Sequence, residues 1–203
     1  SILLGLSMGS GALFSIYRGR GDETSLRSAI VHAFGLILLL TLALNAAVYA
    51  FLNPILHFLR VPATVWGGMR EYLLVVFAGL VATSVYNYLA CLLRALGNSA
   101  APLVFLGVSA LLNVGLDLLF VPALGWGIAG AAGATVIAQY VSAAGMLVYV
   151  LAKCKILLPK RSELHLNRSI LGEIFRLSSL TCAQQSVMNF GILMVQGLVN
   201  SFG

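Results

Sequence analysis

Residues 102–122 read PLVFLGVSALLNVGLDLLFVP. A bilayer core of about 30 Å is crossed by ~20 helical residues, and this stretch is long and apolar enough to do it. Within it lies Asp117, the only one of six acids inside such a stretch. Asp22, Glu23, Glu71, Glu163 and Glu173 sit in or at the edge of connecting segments. A carboxylate at a helix centre in lipid costs about 2.5–3.5 kcal/mol on insertion scales. Its retention calls for a partner or a task, and an intramembrane acid is by default a candidate for holding a cation or a proton.

The whole chain agrees with that setting. Hydrophobic residues make up 60%, charged residues 9%, and mean hydropathy is +1.00. Soluble domains hold roughly 25% charged residues, so the composition excludes an ordinary soluble α/β protein. The formal charge of +6 does not call for nucleic acid, because every Lys and Arg lies in a gap or at a span end. That distribution orients a membrane protein. Cys91, Cys154 and Cys182 have neither metal-ligand nor CxxC spacing, and they read as reduced structural thiols.

Six apolar stretches cover 1–17, 28–56, 71–93, 102–122, 127–152 and 178–201. In lipid the backbone must satisfy its own hydrogen bonds, so these spans are expected to be helices. The first reaches spanning length only with residues upstream, and the chain opens on Ser1 directly into an apolar run. We therefore expect an internal fragment of something longer. The gaps carry turn chemistry: Arg18-Gly19-Arg20-Gly21-Asp22, Val61-Pro62-Ala63 with Gly67-Gly68, Gly97-Asn98-Ser99, and Pro122 with Gly125-Trp126-Gly127. The last is so short that the fourth and fifth helices should be antiparallel neighbours. Residues 153–177 form the longest polar section. In it Leu166, Ile170, Ile174 and Leu177 recur at helical spacing among Arg168, Glu173 and Arg176, which suggests a short interfacial helix lying on the membrane.

Ten of the twelve basic residues fall in the first, third and fifth gaps. The positive-inside rule places those gaps in the cytoplasm. Asp117 then lies about 7–8 Å inside the outer end of its helix at 1.5 Å per residue. Asn113 is one turn deeper on the same face. Thr135 on the fifth helix, Asn45 on the second and Tyr72 at the start of the third also map to the outer leaflet. Carboxylate, amide and hydroxyl oxygens are hard donors that suit Na⁺, or a carboxyl that carries a proton. Asn113 and Thr135 could equally be hydrogen-bond glue between helices, and Tyr72 an interfacial belt residue. Gln139, Asn87, Gln184 and Gln185 are further polar groups within spans, expected to pack or to line a cavity.

Three motifs in order carry a resemblance: Arg94-Ala95-Leu96-Gly97-Asn98-Ser99-Ala100-Ala101-Pro102, then Leu112-Asn113-Val114-Gly115-Leu116-Asp117, then Gly125-Trp126-Gly127-Ile128-Ala129-Gly130-Ala131-Ala132-Gly133-Ala134-Thr135. Together they resemble the multidrug and toxic compound extrusion (MATE) transporters. The Gly9-Ser10-Gly11 to Arg20-Gly21-Asp22 region is similar to the end of that family's second helix. The resemblance implies an all-α integral membrane fold, with six transmembrane helices of a twelve-helix, two-lobe transporter. Residues 1–152 would then be helices two to six of the N-terminal lobe, 153–177 the cytoplasmic interlobe linker, and 178–203 the first helix of the C-terminal lobe. It also implies a multi-pass protein of the bacterial cytoplasmic membrane.

The resemblance implies a function as well: antiport of small cationic or amphipathic molecules against Na⁺ or H⁺, with no cofactor beyond the coupling ion. The partners are the lipid bilayer, the small-molecule substrates and the rest of the polypeptide. In the DNA-damage-inducible branch the ion site lies in the first lobe. By position, Asp117 matches its acid, Asn113 its amide, Thr135 its hydroxyl and Tyr72 its nearby tyrosine, with Asn45 and Gln139 as weaker cavity-lining candidates. Another branch places an acid on helix seven, which here reads Leu180-Thr181-Cys182-Ala183-Gln184-Gln185-Ser186-Val187 and has none. A lipid-linked oligosaccharide flippase of the same superfamily is the alternative. It would be expected to line its cavity with basic residues, and no Lys or Arg lies mid-span here. An intramembrane enzyme would want a second acid, a His or an activated nucleophile in reach. His32, His57 and His165 all fall at span ends or in loops.

Overall fold

The computed structural model describes residues 2–58, 65–154 and 167–202. Six long helices follow one another: α1 (Ile2–Arg20), α2 (Glu23–Phe58), α3 (Trp66–Ala95), α4 (Ala100–Leu118), α5 (Gly127–Lys153) and α6 (Arg168–Phe202). The protein is all-α and spans the membrane several times. The stretches Glu23–Pro54, Trp66–Ala95, Ala100–Ala123 and Gly127–Lys153 are long and apolar enough to cross a bilayer. The Gly and Ser residues of α1 dilute its apolarity, as do Gln184, Gln185 and Asn189 in α6. Both of these helices lie against the more apolar ones. The expected turn at Val61-Pro62-Ala63 falls outside the described residues, as do residues 155–166 of the expected linker.

The helix ends follow from local chemistry. α1 and α3 stop in the same way. Gly21 and Gly97 take φ of 70° and 88°, a left-handed conformation that glycine adopts without penalty. Asp22 N–H then reaches the Tyr17 carbonyl at 3.1 Å, and Asn98 N–H reaches that of Leu93 at 2.9 Å. This is the closing bond of a Schellman motif. The same two residues begin the next helices. Asp22 Oδ1 accepts from Ser25 N–H at 3.0 Å, and Asn98 Oδ1 from Ala101 N–H at 3.1 Å. After α4 the ladder widens into a π-helical turn, Leu119–Ala123. Pro122 has no N–H and its ring crowds the preceding turn. Leu124 N–H accordingly bonds the Leu119 carbonyl at 3.1 Å, and Trp126 N–H that of Phe120 at 3.0 Å.

The core is concentrated at one end of the bundle. Leu13, Phe14 and Tyr17 of α1 meet Leu26, Ala29, Ile30, Ala33 and Ile37 of α2, spaced three and four apart. Tyr88, Leu89, Leu92 and Leu93 of α3, Met146 and Val150 of α5, and Ile170 and Ile174 of α6 complete it. Tyr88 is fully enclosed and donates to the Ile30 carbonyl at 2.8 Å. All these residues lie toward the end where α1 meets α2 and α3 meets α4. α4 buries only Ala101 and Pro102, in its first turn at that same end, and its remaining length is half-covered or open. Away from that core a cleft runs between α3, α4 and α5.

Two neighbour relations decide the layout. α4 packs on α5 as the tight Gly125-Trp126-Gly127 link requires, and α5 packs in turn on α3. α6 packs on α1 in antiparallel sense. Residues 168–177 are not a separate interfacial helix; they are the first turns of α6. Ile170 and Ile174 are 4% and 0% exposed, buried against the core and not on a membrane surface. The reason is visible in the spacing. Ile170, Ile174, Ser178 and Cys182 continue one stripe at intervals of four, with no proline to break it.

Candidate functional site

α4 and α5 bring together two of the polar residues that the sequence singled out, Asn113 and Thr135. Asn113 Nδ2 donates to Thr135 Oγ1 at 3.2 Å, and the Thr135 hydroxyl donates to the Ala131 carbonyl at 3.0 Å. The Asn113 carbonyl oxygen is left free of that bond, and Thr135 keeps acceptor capacity. Asp117 lies one turn further along the same face of α4. Its Oδ1 is covered by protein and has no hydrogen-bond donor. Among the described residues no cationic side chain is within ion-pair distance of it. A buried carboxylate oxygen without a donor is an unusual and unfavourable arrangement, and a cation or a proton placed there would relieve it.

Tyr72 and Thr135 line one groove of about 310 Å³ between α3 and α5, together with Val76, Leu80, Thr83 and Gln139. The groove continues into a second pocket of about 230 Å³ that shares Thr83 and Gln139 and adds Tyr86, Asn87, Ser109 and Ser142. Asn45 is placed elsewhere. It is 7% exposed between α2 and α3, where its Nδ2 donates to the Phe77 carbonyl at 2.7 Å. Tyr49 makes a similar bond to the Leu74 carbonyl at 3.1 Å, one turn away.

The sequence reading passed over Thr83, Tyr86, Ser109 and Ser142. A signal for them existed. Tyr72, Val76, Leu80, Thr83 and Asn87 recur every three or four residues along α3, and Thr135, Gln139 and Ser142 do so along α5. These are two mixed-polarity stripes that the packing turns toward each other. Close approach is helped at Gly79, where an added Cβ would come within 2.6 Å of Gln139 Oε1 and 3.0 Å of a Val136 methyl. Among the described residues no three of His, Cys, Asp or Glu come together in a way that could hold a metal ion.

Comparison with known proteins bears on this arrangement. The probable multidrug resistance protein YpnP of Bacillus subtilis is 30% identical over 100% of this chain and 45% of its own length. The probable multidrug resistance protein NorM of Thermotoga maritima is 25% identical over 98% of the chain and 43% of its own. The chain thus spans about half the length of these relatives. In three dimensions it superposes on the bent form of the Vibrio cholerae MATE transporter VcmN with a TM-score of 0.81. That match covers 100% of this chain and 46% of the other at 23% identity. The fold is therefore that of one lobe of the two-lobe MATE architecture. The sequence model of MatE matches residues 1–119, more than half of the 203 residues, and the chain belongs to the MatE family.

Proposed function

We propose that this chain forms part of a cation-coupled antiporter of the DNA-damage-inducible branch, exporting cationic or amphipathic small molecules in exchange for Na⁺ or H⁺. The observation that carries the reading is the Asn113–Thr135 bond of 3.2 Å beside an Asp117 oxygen that is covered and without a donor. The names of the relatives, both multidrug resistance proteins, support the export of drug-like compounds. The site offers one negative charge and several neutral oxygens, a set suited to a hard monovalent cation or to a proton on the carboxyl.

The coupling would work through differential affinity. A cation near Asp117 favours whichever arrangement of α4 and α5 holds its oxygens together, and can shift the equilibrium only by that preference. Occupancy and release of the ion would thus be linked to opening and closing of the cleft. The positive-inside count puts this end of the bundle toward the outside, where the imported ion would enter.

The test is Asp117→Asn in the full-length protein, reconstituted in vesicles with an imposed Na⁺ or pH gradient. Loss of gradient-driven export, with insertion and folding intact, is the expected result. Export that still follows the gradient in that variant would sink the coupling role.

A further inference from the structure

The pocket between α3, α4 and α5 is lined by six hydrogen-bonding side chains and Leu106. Its hydroxyl protons are already committed. Thr83 donates to the Gly79 carbonyl at 3.0 Å, Tyr86 to Pro102 at 2.8 Å, Ser109 to Ala138 at 3.0 Å and Ser142 to Phe105 at 3.1 Å. The two primary amides differ. Among the described residues neither Asn87 nor Gln139 has a hydrogen-bond partner. Each is half-buried, on a different helix, and faces the same space of about 230 Å³.

A primary amide presents a donor and an acceptor side by side in one plane. Two such groups, unpaired and facing one pocket, leave donors and acceptors that are partly withdrawn from water and not repaid inside the protein. The remaining lining is mostly apolar, from Tyr86, Leu106 and the carbon faces of the alcohols. Such a pocket is matched by a flat apolar body that carries a donor and an acceptor on one edge. It holds no carboxylate or cationic side chain, so charge is not what it reads.

We infer that Asn87 and Gln139 form a two-amide recognition site for the uncharged, amide-like edge of an aromatic compound. This rests on the proposed export of small molecules and names the class of substrate feature that the pocket selects. Gln139 has a second consequence, because it also lines the groove that holds Thr135. A ligand held by Gln139 therefore borders the proposed ion site without touching Asp117.

The probes are benzamide and N,N-dimethylbenzamide, the second lacking the N–H donors. Binding is titrated by saturation-transfer NMR to the purified full-length protein in detergent. Wild type should bind benzamide at least about tenfold more tightly than the dimethyl compound, the discrimination expected when polar groups of a site are left unpaired. Asn87→Leu and Gln139→Leu should each remove that preference. Asn87→Asp and Gln139→Glu keep the acceptor oxygens but lose the N–H donors, and should retain or strengthen the benzamide preference. Gly35→Ala, on α2 and outside the pocket lining, should leave the preference intact. Equal affinity of the two probes for wild type, an unchanged preference in the leucine variants, or loss of the preference in the acid variants overturns the inference. If the benzamide preference follows the amides while export ignores ion gradients, the recognition site stands and the coupling proposal fails.

Discussion

A Cβ added to Gly9 would lie 2.5 Å from the Cα of Ser178 and 2.6 Å from its backbone nitrogen. One turn earlier, a Cβ on Gly5 would lie 2.7 Å from the Cα of Cys182. The pattern Gly5-Leu6-Ser7-Met8-Gly9 thus lets α1 and α6 meet backbone to backbone, the close approach that small residues four apart permit in membranes. The obstacles are main-chain atoms and cannot rotate aside. Gly9→Leu should therefore destabilise the protein by about 1–3 kcal/mol or more, the usual range for overpacking. Gly35 has nothing within 4 Å of an added Cβ, so Gly35→Ala should be neutral or slightly stabilising. Unfolding midpoints in detergent compare the two.

The same interface ends in a polar contact. The hydroxyl of Tyr17 donates to Glu173 Oε2 at 2.9 Å, tying the last turn of α1 to the first turns of α6. Tyr17→Phe should lower stability by about 1 kcal/mol, the net worth of such a bond when one partner is exposed. Combined with Glu173→Gln, the loss should be less than the sum of the two single effects. Strict additivity in a double-mutant cycle would contradict a direct contact.

Asp22 makes the start of α2 pH-dependent. Its carboxyl is held below the ordinary aspartate value by hydrogen bonds from Ser25, the side chain first and the backbone N–H second. A depressed folded-state pKa means that the capping contribution is fully present above the unfolded value of about 3.9. It is lost as pH falls through the folded pKa. Hydrogen exchange at the first turn of α2 should accelerate over that acid range. Asp22→Asn should remove the pH dependence, because an asparagine still caps but does not titrate.

Thr135→Val tests the proposed ion site without touching its charge. The valine keeps the shape of the side chain but removes the acceptor of the Asn113 bond. One lost neutral ligand of about 0.5–1.5 kcal/mol corresponds to a drop of about two- to thirteenfold in cation affinity. Cation-induced thermal stabilisation of the purified protein measures it. Unchanged stabilisation would exclude Thr135 as a ligand.

Much of the architecture was legible beforehand, and the reasons are particular. The apolar run around Asp117, the glycines at 21 and 97 and the short Gly125-Trp126-Gly127 link each act within a few residues, so local chemistry is enough to read them. The stripe Ile170–Ile174 was legible as a helix but misplaced onto the membrane surface. Amphipathic spacing shows that a face will be covered, and a core covers it as well as a lipid headgroup does. Asn45 and Asn113 look alike in sequence, each an amide inside a span. One bonds the Phe77 carbonyl on α3 and the other the Thr135 hydroxyl on α5.

That contrast marks where the sequence stops. Residue order by itself determined the membrane class, the helical spans, the turns and the residues that share each helix face, because these depend on composition and on a period of 3.6. Only the tertiary structure decided which face meets which. It set the register that brings Gly9 to Ser178, the join that makes α6 one helix, and the meeting of two polar stripes that leaves the Asn87 and Gln139 amides facing one pocket. Those choices rest on shape fit between helices far apart in the chain, and no local period encodes them.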